Sequence, residues 1–424
     1  MGMTIGIVGG GAAGMMAAIT AAELGAEVTL LEGNDRLGKK LLATGNGRCN
    51  LGNEKLELSQ YYTGDPSVLE TCLKRFGTEE TTGFFRRIGL MIKSREGYLY
   101  PACGQASAVL DVLRYAVREA GVKVAADCRI EAVGRDSGKL WVKNRAGKIL
   151  YFQRLILACG GRAAPGTGSD GSGYGMALGL GHSLAPVVPA LVQLKCREDY
   201  FKAVAGVRAD AELTVMYKGK CAARERGELQ LTNFGLSGIP VFGLSRVANY
   251  ILNENKHKSD KNLPEVLIDF LPDYSREAYE RFCAERQPRR GRTVEEFFTG
   301  MLHKKLMMLF IKIAGLKPTE DIALAEAAKV RMVYGLCRQW SVHVTGSNSF
   351  EAAQVCAGGV PLSEVTENLE SRKTPGVFFA GELLDVDGKC GGYNLQWAWC
   401  SGHIAGKAAA GGAGRPDKSK GNRG

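Results

Sequence analysis

Three glycines near the beginning of the chain have the spacing that nucleotide-binding proteins use to hold a diphosphate. Gly9, Gly11 and Gly14 form the pattern G-x-G-x-x-G, directly after a short apolar run and at the start of an Ala-rich segment. The first glycine permits a tight turn, the second admits phosphate oxygens to the backbone, and the third lets a helix pack closely on a strand. The amides of Ala12 and Ala13 would lie at the helix N-terminus, which favours negative charge. These residues predict a dinucleotide site.

An acidic residue stands where such a site needs one. Glu32 ends the next apolar run, 18 positions after Gly14, and Gly33 follows it. A carboxylate there accepts hydrogen bonds from ribose hydroxyls and disfavours a 2′-phosphate, so the pattern favours FAD or NAD over NADP. The simpler interpretation is a glycine turn that only packs a helix on a sheet, and the complete strand–helix–strand context argues against it.

A second glycine pattern, formed by Gly166, Gly168 and Gly171, lacks that context. Pro165 precedes it, and a loop separates it from the nearest strand-like run. No acidic residue follows at the expected distance of about 20 positions. We interpret this stretch as a flexible loop rather than as a second dinucleotide-binding unit.

Common hydrolase, NTPase and metal-site motifs are missing from the sequence. There is no G-x-S-x-G, H-E-x-x-H or Walker pattern, and His182, His343 and His403 have no partner at metal-ligand spacing. The twelve cysteines form no C-x-x-C pair. We therefore expect no metal site, and reduced, mostly buried thiols fit a cytoplasmic protein better than a disulfide framework does.

Hydrophobic periodicity predicts the elements that must position these residues. Residues 5–8, 12–24 and 28–31 predict a strand, a helix and a second strand, which together form a β-α-β unit. Residues 155–158 predict a buried strand, and residues 377–380 repeat that pattern. A strand of the first type that follows β-rich and helical blocks indicates that the chain leaves its nucleotide domain and returns to complete it.

The predicted domain organisation therefore has five consecutive parts. Alternating segments between the early strands predict antiparallel pairing at residues 123–133, 140–143 and 149–152. The strongest helices of the central block are predicted at residues 278–285, 294–312 and 322–338. The parts are the first piece of the nucleotide-binding domain at 1–190, a β-rich insert at 191–272, a helical insert at 273–342, the returning piece of the nucleotide-binding domain at 343–410 and a disordered tail at 411–424.

The net charge raises the question of a polyanionic partner. Lys and Arg number 55 against 44 Asp and Glu, which gives a formal charge of +11. Part of the excess lies in one run that contains Arg286, Arg289, Arg290 and Arg292. No stacking aromatic residues interleave these charges, so a solvated surface is favoured over a nucleic-acid site. No apolar run reaches the ~18 residues of a membrane span, so we expect no membrane partner.

Further sequence blocks make a resemblance to a known family specific. They are ATGNGRCN at 43–50, GVFFAGELLDVDG at 376–388 and GGYNLQWAW at 391–399, with LILACGG at 155–161 and TNFGLSGIP at 232–240. Together they resemble the HI0933-like family of NAD(P)/FAD-dependent oxidoreductases over nearly the whole chain. The resemblance implies an α/β fold with a discontinuous FAD-binding Rossmann-like domain of the glutathione-reductase type and inserted β-barrel-like and helical domains. It also implies FAD as the cofactor and NAD(P)H as the electron donor.

The resemblance also implies which residues hold the cofactor. A basic loop is expected to fold back over the nucleotide and offset its diphosphate charge, and its members are Lys39, Lys40, Asn46, Gly47 and Arg48. A basic surface turn is the alternative. Gly381 and Glu382 match the Gly-acid pair that related flavoproteins place near the ribityl chain, although Glu replaces the more common Asp. The backbone of Ile130 would meet the adenine, unless this residue is plain core. The remaining expected contacts are Gly160, Asp387, Gly392, Asn394, Leu395 and Gln396.

The helix that begins near Gly392 is expected to act on the reactive end of the cofactor. Its N-terminal amides can stabilise negative charge on the N1/O2 edge of a reduced flavin. A flavin carries the redox chemistry, so the protein must mainly orient the reactants and supply a proton. Candidate proton donors are Tyr393 and Cys49, with Tyr98 and Tyr100 as further possibilities. Packing or support of the flavin is the competing explanation for each of them.

The expected activity is transfer of hydride from NAD(P)H through flavin N5 to an apolar conjugated substrate. The family includes bacterial members that resemble an enzyme reducing the ring double bonds of 3-oxo-4,6-diene bile-acid intermediates, so an enone or dienone of bile-acid or steroid type is the leading candidate. Two alternatives stay open. One is a flavin-dependent RNA-modifying enzyme, and the other is a non-catalytic flavin-binding sensor or scaffold. The choice between NADH and NADPH, the proton donor and the oligomeric state also stay open.

Overall fold

The computed structural model describes residues 2–255 and 263–411. Contacts divide the chain into one unit of Met1–Val187 with Val355–Gly424 and a second unit of Val188–Gln354. The strands of the described residues are β1 Thr4–Val8, β2 Glu27–Leu31, β3 Gly52–Asn53, β4 Tyr61–Tyr62, β5 Ile92–Arg95, β6 Tyr98–Pro101, β7 Lys123–Ala125, β8 Ile130–Asp136, β9 Lys139–Asn144, β10 Ile149–Phe152, β11 Arg154–Leu157, β12 Ala185–Ala190, β13 Leu194–Cys196, β14 Arg208–Tyr217, β15 Lys220–Leu231, β16 Gly235–Gly238, β17 Glu265–Asp269, β18 Trp340–Ser347, β19 Val355–Gly359, β20 Val377–Phe379 and β21 Asp387–Gly388. Their helices are α1 Ala12–Glu23, α2 Pro66–Arg75, α3 Thr78–Arg87, α4 Ala106–Glu119, α5 Ser172–Gly179, α6 Phe201–Val204, α7 Ile239–Glu254, α8 Arg276–Glu285, α9 Val294–Phe298, α10 Lys304–Ile313, α11 Ala327–Arg338 and α12 Tyr393–Ala409.

The first unit is built on a five-stranded parallel sheet. The strand order is β20-β11-β1-β2-β7, and each neighbouring pair is parallel. Ile5 and Ile7 of β1 are fully buried, as expected for a central strand with both faces covered. β20 returns after the second unit and pairs with β11, with Leu155 opposite Val377. The predicted α/β class and the discontinuous Rossmann-type domain are therefore confirmed.

Small residues fix α12 against α1. A Cβ atom added at Gly402 would lie 2.4 Å from the carbonyl oxygen of Ala13, and one at Gly406 would lie 2.5 Å from that of Ala17. Neither position has room for a larger side chain unless the helices separate. The returning helix is thus held directly on the helix that begins at the glycine turn.

The small sheets of the first unit follow the predicted antiparallel pattern with one exception. β8, β9 and β10 form an antiparallel sheet, but β7 pairs with β2 in parallel, with Thr29 opposite Lys123. An exposed edge strand alternates in polarity just as an antiparallel strand does, so periodicity did not separate the two cases. Two further sheets have the orders β3-β6-β5 and β21-β4.

The second unit is a closed six-stranded barrel with helices packed against it. The barrel order is β13-β16-β15-β14-β17-β18, which confirms the predicted barrel-like insert. Inward side chains such as Leu213, Val266 and Val342 share one core with Phe298 of α9 and Phe310 of α10. Because one core serves both, barrel and helices form a single unit instead of two separate inserts.

The limits of the units and one helix differ from the sequence-based expectations. The returning piece is predicted from residue 343, yet that residue lies in β18, which pairs with β13 and β17. A single helix is predicted over 294–312, but α9 and α10 are separated by a turn in which Gly300 has a φ of 92°. A left-handed glycine of this kind ends a helix. Of the predicted tail, residues 412–424 lie outside the described residues.

Three general features bear on the class of protein. Across residues 2–255 and 263–411, no helix combines the length and apolar character needed to cross a membrane. The same residues contain no group of three or more His, Cys, Asp or Glu side chains placed to hold a metal ion. All twelve cysteines are free thiols.

Candidate functional site

The turn between β1 and α1 admits only glycine at two of its three pattern positions. Gly9 has a φ of 103°, and a Cβ atom there would lie 2.5 Å from the carbonyl oxygen of Ala158. A Cβ atom at Gly14 would lie 1.8 Å from the carbonyl oxygen of Gly9. These contacts hold the start of α1 tightly against the ends of β1 and β11.

The remaining pattern position, Gly11, faces open space. No heavy atom lies within 4 Å of a Cβ atom added there, no side chain caps α1, and its first turn carries no acidic residue. The first amides of a helix lack partners within the helix, and they attract anions. The cradle at Gly11, which a Cβ atom would fill, and the uncapped amides beyond it therefore fit the diphosphate of a dinucleotide.

Glu32 is held in place at the end of β2. Its Oε2 accepts a hydrogen bond from the amide of Gly10 at 2.8 Å, and its Oε1 accepts from the backbone and side-chain nitrogens of Asn34 at 2.8 and 2.7 Å. A carboxylate has about four acceptor positions, so one remains for a ribose hydroxyl. Gly33 lies beside Arg129, with no atom closer than 3.7 Å to an added Cβ atom.

The structure pairs two predicted cofactor residues with each other. Lys40 Nζ donates to Glu382 Oε2 at 2.8 Å, and Glu382 Oε1 accepts from the amide of Cys356 at 2.7 Å. Lys39 Nζ lies 2.7 Å from Asp35 Oδ1. The charge of Lys40 is thus already balanced by a carboxylate in this arrangement. The backbone of Gly381, in contrast, lies at the glycine turn, since an added Cβ atom would be 3.0 Å from that of Ala13.

The start of α12 forms a second uncapped helix N-terminus. Gly392 has a φ of 94°, and a Cβ atom there would lie 2.6 Å from the carbonyl oxygen of Gly52. No side chain caps this helix. Asn394 is engaged with the preceding loop, because its side chain accepts from the amide of Gly388 at 2.9 Å and donates to the carbonyl of Gly388 at 2.8 Å.

Two helix N-termini are therefore set apart at a defined distance. Gly402 of α12 touches Ala13 of α1, and Gly392 precedes Gly402 by ten positions. At 1.5 Å per residue, the start of α12 lies about 15 Å along the helix from that contact. An extended dinucleotide that has its diphosphate at Gly11 can reach the start of α12 with its other end.

Several predicted cofactor residues have structural contacts in this arrangement. Gln396 is fully buried, and its Nε2 donates to Thr81 Oγ1 at 2.9 Å. Ile130 is buried and pairs with Asn144 in the β8-β9 ladder. Gly160 has a φ of 74° and lies beside Ser169. Asp387 is buried in β21, and Leu395 is partly buried in α12. Asn46 and Gly47 are exposed and have consecutive left-handed backbone conformations.

The proton-donor candidates differ in accessibility and acidity. Cys49 is fully buried, and burial raises the pKa of its thiol to about 11, with Thr44 opposing the shift. Tyr393 packs edge-on against Tyr61 at a centroid distance of 5.6 Å, and the Tyr61 hydroxyl donates to the carbonyl of Tyr393. Burial and the neighbouring Tyr98 raise the pKa of Tyr393. The described residues give its own hydroxyl no hydrogen-bond partner.

Sequence reasoning missed the residues that brace the nucleotide end of the site. Asn34 Nδ2 donates to the carbonyl of Thr167 at 3.3 Å, and Lys40 Nζ lies 3.4 Å from Ser169 Oγ. Asp170 pairs with Arg129 and accepts from the amide of Ser172 at the start of α5. The stretch that contains the second glycine pattern, residues 166–171, thus packs against Asn34 and Lys40 instead of forming a free loop. An Asp two residues before a helix was the available signal.

Asn50 is a second residue that sequence reasoning missed. With its amide oriented to satisfy its neighbours, it accepts from the amide of Gly392 at 3.2 Å and donates to the carbonyl of Gly52 at 2.8 Å. Asn50 therefore ties the basic loop to the start of α12. Its position in the block at 43–50 drew attention to the loop but did not reveal this contact.

Comparisons with known proteins agree with the geometry. The chain is 43% identical over 410 residues, covering 96% of this chain and 98% of the relative, to the 3-dehydro-bile acid delta(4,6)-reductase of Clostridium scindens. It is 27% identical to the ribosomal RNA dihydrouridine synthase of Haemophilus influenzae, over 94% of this chain and 96% of the relative. A solved structure of E. coli quinol fumarate reductase FrdA, a mutant, has 16% identity and a TM-score of 0.50 and covers 99% of this chain and 72% of its own, which shows a shared fold.

The family itself is shown by a match along almost the entire sequence. The sequence profile described as HI0933-like protein Rossmann domain matches residues 3–408, which confirms the resemblance noted from the sequence blocks. The chain belongs to the HI0933-like Rossmann-domain family.

Proposed function

We propose that this chain is an FAD-dependent oxidoreductase that saturates a carbon–carbon double bond conjugated to a carbonyl, with NAD(P)H as the electron donor. The observation that carries the proposal is the pair of uncapped helix N-termini, at Gly11 and Gly392, in a chain 43% identical to a bile-acid reductase. The leading substrate is an apolar enone or dienone of bile-acid or steroid type. Twelve free cysteines are consistent with the cytoplasm as the site of action.

The names of the two curated relatives share one chemical feature. A 3-dehydro bile acid with delta(4,6) double bonds contains a carbonyl conjugated to carbon–carbon double bonds, and uridine contains a ring double bond conjugated to a carbonyl. Reduction of either double bond by hydride addition would place the hydride on the carbon remote from the carbonyl and a proton on the adjacent carbon. This common step, rather than a particular ring system, is what the proposal assigns to the present chain.

The chain's own residues divide the binding work. The glycine turn and the start of α1 would bind the diphosphate, and Glu32 would hold the ribose, while the amides that follow Gly392 would stabilise negative charge at the far end. When bound, the flavin supplies the hydride-transferring centre. Tyr393 is the first residue of α12, and its hydroxyl, which has no partner among the described residues, would protonate the substrate.

Anaerobic stopped-flow spectroscopy tests the proposal. The enzyme-bound flavin is reduced with one equivalent of NADH or NADPH and then mixed with a 3-oxo-4-ene steroid. We expect the absorbance of oxidised flavin to return at a rate that saturates with steroid concentration, together with formation of the saturated ketone. A reduced flavin that persists until oxygen enters would contradict the proposed acceptor, and slow reduction by both nucleotides would contradict the proposed donor.

A second candidate is the same reduction carried out on a uracil ring within RNA. The ribosomal RNA dihydrouridine synthase relative and the net charge of +11 favour it. Against it, Arg286 of the basic run is only partly exposed and packs over the Phe297 ring at 4.6 Å. RNA binding through phosphates would weaken steeply between about 50 and 200 mM salt. Filter binding at both salt concentrations, with dihydrouridine analysis of the RNA, separates the two candidates.

A further inference from the structure

The β3-β6-β5 sheet presents one face on which aromatic and basic side chains alternate. Tyr98 lies opposite Arg95, and Tyr100 lies opposite Lys93. Residues directly opposite each other in an antiparallel pair point to the same face, so these four side chains share it. Leu99, on the reverse face, is buried. A large hydrophobic ring is therefore left partly open on the polar face, since Tyr98 is 37% exposed.

This face adjoins the start of α12. Asn53 of β3 donates from its side chain to the carbonyl of Gly391 at 3.2 Å. A Cβ atom added at Gly391 would lie 3.1 Å from Tyr98 Cε1 and 3.1 Å from Tyr393 Cε2. Tyr98, Tyr393 and the helix start are thus direct neighbours. They lie at the end of the candidate site that the proposed function assigns to the reactive part of the cofactor.

Two arginines at the edge of the face have no partners. Arg48 and Arg95 are exposed and make no side-chain hydrogen bond or ion pair with any described residue. Both lie close enough to Tyr100 to lower the pKa of its hydroxyl, although burial and Tyr98 raise that pKa overall. Lys93, in contrast, donates to the carbonyl of Ala102 at 2.9 Å.

The acidic neighbours of this face do not neutralise it. Glu57 adds to the effect of burial and Tyr98 in raising the pKa of Tyr393, but it makes no ion pair with a described residue. Glu96, in the turn between β5 and β6, is exposed and makes no ion pair with a described residue. The guanidinium groups of Arg48 and Arg95, which have no partner among the described residues, lie near two partly exposed tyrosine rings. This combination suits an anionic ligand with a planar apolar body.

We propose that the face formed by Tyr98, Tyr100, Arg48 and Arg95 docks the acceptor substrate, and that it selects conjugated carbonyl compounds that also carry a carboxylate. The inference rests on the proposed function and specifies its substrate class. The tyrosines would contact the conjugated ring system, and the arginines would bind the carboxylate at its periphery. This gives Arg48 a role at the acceptor, in place of the diphosphate contact implied by the family resemblance.

A matched pair of acceptors tests this assignment. A 3-oxo-4-ene steroid carboxylic acid and its methyl ester present the same ring to the holoenzyme and differ only in charge. We expect kcat/KM for the acid to exceed that for the ester by about 10-fold or more, as a charge-assisted hydrogen bond allows. The R95Q and R48Q variants should each lower this acid-to-ester ratio, and the double variant should bring it near one.

Two controls separate the possible outcomes. R86Q removes an exposed charge from α3 and should leave the ratio unchanged. Equilibrium binding of the acid and the ester to the oxidised holoenzyme can be monitored through changes in the flavin absorption spectrum. This measurement tests the docking face even if neither compound is reduced. In that case a preference for the acid that R95Q abolishes supports the face and refutes the proposed reaction.

Two results would overturn the inference. One is an acid-to-ester ratio near one in the unaltered enzyme, by both turnover and binding. The other is that R48Q and R95Q slow flavin reduction by NADPH but change neither reduction by NADH nor the acid-to-ester ratio. That result would assign the two arginines to a phosphate of the electron donor.

Discussion

Gly11 and Gly14 lie three positions apart, yet the structure constrains them for different reasons. Gly14 has no space for a Cβ atom because the carbonyl of Gly9 would lie 1.8 Å away. Gly11 has a φ of −79° and open space around it, so alanine is compatible with its backbone. Gly14 serves packing, and Gly11 serves a ligand. The sequence pattern alone does not distinguish these roles.

The open space at Gly11 predicts that alanine there impairs ligand binding but not folding. Gly11→Ala should keep the apo-protein folded, with a melting temperature close to that of the parent, while FAD affinity falls by about 10-fold or more because the methyl group fills the diphosphate cradle. Gly83→Ala is the matched control, since Gly83 also has no atom within 4 Å of an added Cβ atom and lies on α3. Fluorescence titration of apo-protein with FAD measures both. Equal affinities for G11A and G83A would refute the cradle.

Tyr393 carries the proton-transfer hypothesis at the same scale. Tyr393→Phe keeps the ring that packs on Tyr61 and removes only the hydroxyl, so FAD should still bind. We expect single-turnover reoxidation of the reduced flavin by an enone to slow by about 10²-fold, with the solvent isotope effect altered. Cys49→Ala should slow it far less, because the fully buried Cys49 thiol cannot contact a substrate. An unchanged rate in Y393F would move the role to Tyr98, Tyr100 or solvent.

At the scale of elements, α12 connects several parts of the first unit. It packs on α1 through Gly402 and Gly406, opens at Gly392 beside β3, and carries His403 in its interior turn. The His403 ring stacks on Phe76 at a centroid distance of 4.3 Å, and its Nδ1 lies 3.2 Å from Thr20 Oγ1. A helix so closely packed has little room for a charged imidazole.

His403 therefore predicts acid sensitivity. Burial, with Lys407 and Arg87 nearby, lowers its pKa from 6.5 to about 4. The unfolded chain binds the proton first, so the contribution of His403 is complete above pH 6.5 and is lost as the pH falls towards 4. Between pH 7 and 5 this corresponds to about 1–2 kcal/mol of unfolding free energy. Urea unfolding of the holoenzyme should show this slope, and H403F should reduce it; identical slopes would refute the assignment.

A second element-level prediction concerns the segment that returns from the second unit. Glu364 accepts from His182 at 2.8 Å, from Ser183 Oγ at 2.7 Å and from Lys373 at 2.8 Å. Burial opposes the charge, but these donors lower the pKa of Glu364 from 4.5 to about 2. Its stabilising contribution is thus present above pH 4.5 and is lost as the pH falls towards 2.

Substitution of this carboxylate should reveal that contribution. Glu364→Gln should lower the unfolding free energy at pH 7 by about 1–3 kcal/mol, because charge-assisted hydrogen bonds are replaced by weaker ones. The difference from the parent should narrow below pH 4.5. E351Q, at an exposed glutamate, serves as a control that should change stability little. A pH-independent difference for E364Q would contradict the pKa argument.

Sequence reasoning succeeded where local pattern and fold coincide. The β-α-β unit, the returning strand and the barrel-like insert follow from periodicity and family blocks, because each is determined by burial along one segment. It failed where long-range contacts decide the outcome. Nothing local reveals that Lys40 meets Glu382, separated by 342 positions, or that β7 joins the parallel sheet. Asn50 and Asn34 act through contacts that only the folded chain creates.

At the scale of the whole molecule, segments from the two ends of the sequence would together bind one ligand. α1 and α12 belong to one unit, and each begins without a side-chain cap. Their N-termini are separated by about 15 Å along α12. A ligand that satisfies both must be elongated and must carry negative charge or strong acceptors at two places. This requirement distinguishes a dinucleotide from either of its halves.

The most direct test is therefore to titrate the folded apo-protein separately with FAD and with FMN and to monitor binding by flavin fluorescence. FMN lacks the adenosine half that Glu32 and its ribose contact would hold, so we predict that FAD binds at least about 100-fold more tightly, which corresponds to roughly 2.7 kcal/mol. Equal affinity for FAD and FMN, or a folded apo-protein that takes up neither, would contradict the account.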